Sequence, residues 1–350
     1  MTMKYALAAL ATLVAFPGCA QDAPDAGETQ AGDDAATCVQ APEPVVSLSY
    51  GSRYTAGSED RSDFDESSNA EVNAALKPVD DFIVDLANGT NLAQRGGDDA
   101  AGAADCVLDA ILVWAEADAL SDLGTMNAQI SSPSRLGGIA LAYLQAAPLA
   151  SADDPGRRTV IDGWLIARMQ ASMVYFDTEA PPGSSRNNLR AWAGLAGAAV
   201  GSATGDAAVL DWAAGSLELV ACQADADGAL PLEMGRGALA LHYQLHAAAP
   251  LVVGAALLAE EERDLFEVCD GAIHRIVAFV PKAFNDPSLV EAKAGERQSY
   301  VTGDEELKGF QLAWADAYLA RFANTALSTF VEGYRPLANS KLGGAQELLW

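Results

Sequence analysis

RTVIDGWLIARMQASMVY, residues 158–175, is the stretch from which the fold can be read. Val160, Ile161, Trp164, Leu165 and Met169 return at three- and four-residue intervals, the spacing of one apolar helix face. Working outward, the same reading predicts helices over 71–86, 101–120, 189–203, 207–224, 236–258, 260–280 and 305–323. All are rich in Ala and Leu, with only short β-branched runs. Turn chemistry separates them: Asn88-Gly89, Gly96-Gly97-Asp98-Asp99, Asp153-Asp154-Pro155-Gly156, Pro181-Pro182-Gly183 and Asp225 to Gly228. Eight or more helices without strand patterning leave an all-α bundle, solenoid or α/α toroid. A solenoid would repeat at a fixed period, and no repeat is visible. A toroid of paired helices fits best, although periodicity alone does not select it.

The ends read differently. Lys4 followed by an apolar run to Phe16 predicts a signal peptide over 1–18, too short to span a bilayer. Either Cys19 is lipidated after cleavage, giving the only expected membrane attachment, or cleavage follows Ala20. Both place the protein in the periplasm or at the outer membrane. Residues 19–45 hold little to bury and predict a disordered linker. A single domain is expected over 46–340, with a tail at 341–350, and no other segment reads as a membrane span. Cys38, Cys106, Cys222 and Cys269 permit two disulfides in an oxidising compartment, most locally Cys38–Cys106 and Cys222–Cys269. Buried free thiols are the alternative. The net charge of −27 argues against nucleic acid as a partner, and a monomer is expected.

Several ordered segments resemble the alginate (mannuronate) lyase family of polysaccharide lyases. They are Ser52-Arg53-Tyr54 with Asp63-Phe64-Asp65; Cys106 to Trp114; Arg186-Asn187-Asn188-Leu189-Arg190-Ala191-Trp192; Asp227-Gly228 to Glu233; Arg236 to Tyr243 with Pro250-Leu251; and Trp314 to Tyr318. The resemblance implies an incomplete α/α toroid whose groove takes an acidic polysaccharide. It further implies Asn188, Arg236 and Tyr243 as catalytic residues, Arg53 as a substrate contact and Asn187 as support for the loop; Asn187 and its motif neighbours Arg190 and Trp192 are further substrate-binding candidates. Aligning on Pro250-Leu251 instead puts His246 at the place of Tyr243, so both remain candidates.

The chemistry suits these residue types. β-Elimination along a uronic-acid chain needs the carboxylate beside C5 neutralised, a base for the C5 proton and an acid for the leaving O4. An Asn amide and an Arg guanidinium serve the first need, and a Tyr or His the others. Arg236 and Tyr243, seven residues apart, would lie about 20° from alignment on one helix. Each residue also has a plain structural reading. Asn187 or Asn188 can cap a helix, Arg236 and Arg53 can be solvated, and Trp192 can be core. Leu189 stands where the family signature has His, which leaves proton abstraction to Tyr243 or His246. One Tyr acting as base and then acid suits syn elimination, hence mannuronan or a glucuronan-like polymer. No cofactor is expected. His242 and His246 have the i, i+4 spacing of a zinc helix, but Tyr243 replaces the Glu such a site uses, so no metal is expected. A catalytically degenerate polysaccharide-binding protein for exopolysaccharide handling or export is the rival reading.

Overall fold

The stripe at 158–175 does form a helix, Pro155–Thr178, in the computed structural model, which describes residues 38–350. Pro155 opens it and Asp154 accepts from the Gly156 and Arg157 N–H groups, so two orphan donors of the first turn are satisfied. Ile161, Trp164, Leu165, Met169 and Phe176 form its buried face. In chain order the helices are α1 (Glu66–Gln94), α2 (Ala100–Glu116), α3 (Met126–Ala146), α4 (Pro155–Thr178), α5 (Asn188–Thr204), α6 (Ala207–Ala221), α7 (Pro231–Met234), α8 (Ala240–Glu260), α9 (Val268–Asn285), α10 (Ser288–Ala294), α11 (Ser299–Thr302), α12 (Trp314–Leu319) and α13 (Thr325–Val331).

These helices form two layers. α1, α3, α5, α8 and α12 each pack on the next, and α2, α4, α6 and α9 pack outside them and against one another. Alternate inner and outer helices make an incomplete α/α toroid. The inner arc is bridged by the C-terminal segment, where Ser340–Leu342 meets α1, α3 and α8, and Gly344–Ala345 meets α1. α5 lies at the centre and is buried along most of its length. Its Gly194 and Gly201 face Leu217 and Leu210 of α6, where an added Cβ would come within 2.9 and 2.6 Å. Small residues there let the two helices approach closely.

Several expectations require correction. α3 was not expected, because Pro133 and Gly137-Gly138 interrupt its pattern. Its stripe is also obscured by burial on several sides, since a Cβ on Gly138 would lie 2.8 Å from Ile83. Asn88-Gly89 is no turn but lies within α1, where Gly89 admits Val107 of α2. The helix expected over 236–258 starts at Ala240, after a 3-10 turn at Gly237–Leu239. The expected 305–323 helix breaks into a 3-10 turn and α12. Gly237–Glu260 is in fact long and apolar enough to cross a membrane, yet it is largely buried inside the domain as a core helix.

The domain limits also move. The signal segment, Cys19 and residues 19–37 lie outside the described residues. Residues 38–45 are packed rather than loose. Cys38 is bonded to Cys106, Pro42 accepts from the Trp114 indole at 3.2 Å, and Ser47–Leu48 pairs in parallel with Asp122–Leu123. Residues 341–350 are no tail either, since Leu342 and Gln346 are fully buried. The second disulfide joins Cys222 to Cys269, so both local pairings are present.

Candidate active site

The site assembles where the N-terminus of α5 meets the approach to α8. Asn187 takes the capping position of α5, its Oδ1 accepting the Leu189 N–H at 3.0 Å. Asn188, the next residue, is only 1 % exposed. Its backbone N–H and side-chain Nδ2 donate to the two oxygens of Glu233 at 2.7 and 2.8 Å. Its Oδ1 is buried without a hydrogen-bond partner. Glu233, on α7, is itself 1 % exposed. Burial pushes its carboxyl up to about 7, against the pull of the Asn188 donors, Arg236 and His242.

Beyond α7 the chain turns through Arg236 into α8. Arg236 and Tyr243 do not share a continuous helix, but they meet directly. The guanidinium carbon lies 3.6 Å from the centre of the Tyr243 ring. Burial disfavours the Arg236 charge, and Tyr243, Tyr54 and Glu233 more than offset it, so the guanidinium stays firmly protonated. A flap folds over this pair. Tyr54 bridges to Phe64 and stacks on it, and the Tyr54 hydroxyl hydrogen-bonds the Tyr243 hydroxyl. Arg236 ties the flap down, donating to the carbonyls of Asp60 at 2.7 Å and Arg61 at 2.9 Å. Arg53 stands on this flap, its charge felt at Tyr50.

His246 sits one turn along α8. The Trp192 indole N–H, which can only donate, points at His246 Nδ1 from 2.6 Å. The same N–H also lies 3.1 Å from the His246 backbone carbonyl, so one indole donor serves both acceptors. His242 Nδ1 lies 2.8 Å from Glu305 Oε1, and Glu305 also accepts from Ser299.

Asn188, Arg236 and Tyr243 thus form one connected group, with Glu233 as the link. Other expected residues are engaged elsewhere. Arg190 is turned towards α4 and α6, donating to Ser216 and Asp177 at 2.8 Å each and lying over Trp212, so it does not face the group. Trp192 is core, 5 % exposed, and its polar edge is spent on His246. Asn187 caps its helix. Leu189 packs against the apolar cluster of Ile130, Phe176 and Ala193. Glu233 and Tyr54 lie within the resembling segments but were not expected as site residues. The signal for Glu233 is a lone acid in the apolar run from Ala229 to Met234.

Comparisons with known proteins place these observations. A family model described as alginate lyase matches residues 100–290. A polysaccharide lyase of Stenotrophomonas maltophilia (strain K279a) is 32% identical over 281 residues, covering 79% of this chain and 80% of that protein. An alginate lyase of Pseudomonas syringae pv. syringae (strain B728a) is 28% identical over 330 residues, covering 92% and 84%. Among solved structures, alginate lyase A1-III from Sphingomonas species A1 superposes with a TM-score of 0.73 at 22% identity, covering 90% of this chain and 87% of that one. A tyrosine-to-phenylalanine variant of A1-III complexed with tetrasaccharide gives a TM-score of 0.74 at 22% identity, covering 91% and 88%.

Proposed function

The chain belongs to the alginate lyase family, and from that premise we propose that this polysaccharide lyase cleaves a β-linked polyuronide, mannuronan or a glucuronan-like polymer, by β-elimination at Asn188, Arg236 and Tyr243. Arg236 and Asn188 neutralise the carboxylate beside C5, which lowers the cost of the carbanion-like transition state. Tyr243, as tyrosinate, takes the C5 proton. The C4–O4 bond breaks as the C4=C5 double bond forms, and the Tyr243 O–H returns the proton to O4. One residue serving both steps requires H5 and O4 on one face, the syn geometry of β-mannuronate and β-glucuronate.

The observation that carries this reading is the Arg236 guanidinium 3.6 Å from the Tyr243 ring centre, with the Tyr54 hydroxyl bonded to that of Tyr243. A buried cation and a hydroxyl donor both stabilise a tyrosinate. His246 Nδ1 is already engaged by the Trp192 indole N–H, which favours Tyr243 as the base. The expected loss on Tyr243→Phe is about 100- to 10,000-fold in kcat/KM, followed by ultraviolet absorbance of the unsaturated product. Unchanged activity would move the base to His246.

The place of action is the periplasm or the outer membrane, with the protein a monomer. The leader at 1–18 and the two disulfides support export. Mass spectrometry of the mature N-terminus distinguishes a lipid on Cys19 from cleavage after Ala20, and light scattering checks the monomer.

A further inference from the structure

Resting on the reading above, one unexplained atom leads further. Asn188 Oδ1 is buried and has no partner, while Nδ2 of the same amide is held by Glu233. A buried orphan acceptor costs about 1–3 kcal/mol. An acceptor is also the wrong end of an amide to meet a substrate carboxylate, which needs a donor. Turning the amide over would give the carboxylate Nδ2, but Oδ1 would then face Glu233 Oε2. That contact is repulsive for a carboxylate and a hydrogen bond for a carboxylic acid.

We propose that Glu233 is a positioning residue whose protonation decides which end of the Asn188 amide meets the substrate. As a carboxylate, Glu233 holds Nδ2. As an acid, its Oε2–H donates to Asn188 Oδ1, its Oε1 still accepts the Asn188 backbone N–H, and Nδ2 is turned to the bound uronate. One proton is taken from solvent per turn of the amide, and no other bond changes. Burial already brings Glu233 up to about 7, and a bound anion beside it raises its proton affinity further. The charges facing Glu233 are Arg236 beyond α7 and His242 on α8, the latter paired with Glu305. Tyr243 and Tyr54 surround Arg236 on its far side. With Leu189 in place of a second polar group, the carboxylate depends on this amide more heavily.

Two measurements test the device. Calorimetric titration of a mannuronate oligosaccharide into the Tyr243→Phe variant, in buffers of differing ionisation enthalpy, counts the protons exchanged on binding. Uptake approaching one proton at pH 8 is expected, falling towards zero at pH 5, where Glu233 is already protonated. Adding Glu233→Gln should abolish the uptake at pH 8, because a Gln amide donates to Asn188 Oδ1 at every pH. In the otherwise unaltered enzyme, KM should rise up to tenfold per pH unit above the Glu233 pKa, and Glu233→Gln should flatten that rise while Glu233→Ala raises KM throughout. Binding without proton uptake at pH 8, or an uptake and a KM profile that Glu233→Gln leaves unmoved, would overturn the proposal and leave the lyase reading standing. Absence of turnover by the unsubstituted chain on every polyuronide would overturn both.

Discussion

At the scale of single residues, neighbours in sequence do different work. Asn187 caps α5, and Asn188 is buried against Glu233. Asn187→Ala is expected to cost about 1 kcal/mol in denaturant unfolding with modest loss of activity. Asn188→Ala is expected to lose about 100- to 1000-fold in kcat. Glu233 makes a pH-dependent contribution whose sign can be stated. Its folded pKa of about 7 lies above the ordinary 4.5, so the folded state holds the extra proton between those values. Stability therefore falls as pH rises from about 4.5 to about 7, by roughly 3 kcal/mol for a fully buried carboxyl. Glu233→Gln should remove that fall, as thermal melts at pH 5 and pH 8 would show. The sequence pointed to the Asn-Asn pair, Arg236 and Tyr243 through the family resemblance, and the structure places Arg236 on the Tyr243 ring and Asn188 on Glu233. Arg190 and Trp192 looked equally suitable, and only packing shows their polar groups turned to Ser216, Asp177 and His246.

At the scale of elements, legibility followed burial. α4 was plain because one face is buried and the other meets solvent, so its stripe stands out. α5 was recognised as a helix, but its central role was not. Ala and Gly at its contacts carry little hydrophobic signal while permitting close approach to α6. α3 was missed for a related reason, since Pro133 and two glycines suit a helix wedged among neighbours and resemble a loop when read alone. The 3-10 turn at Gly237–Leu239 had no warning in the periodicity either. It swings Arg236 off the axis of α8 and back over the Tyr243 ring, a contact that seven-residue spacing suggested for another geometric reason. The flap is fastened through Arg236 and Tyr54, so the guanidinium that lies on the Tyr243 ring also binds the Asp60 and Arg61 carbonyls.

At the scale of the molecule, a net charge of −27 opposes a polyanionic substrate at long range, and only a local cationic group can reverse it. Salt screens the distant repulsion, over about 8 Å at physiological strength, more than the buried contacts. KM for a polyuronide should therefore fall as ionic strength rises from about 10 to about 150 mM, the reverse of an enzyme that steers its substrate by attraction. The two disulfides close loops of 68 and 47 residues, each worth about 4 kcal/mol on a chain-entropy basis. The most direct test of the central claim is ultraviolet absorbance of the unsaturated product after mixing the protein with mannuronan, glucuronan and guluronan. Product from mannuronan or glucuronan, lost on Tyr243→Phe, is the predicted result; guluronan as the sole substrate, or no product from any of the three, would contradict it.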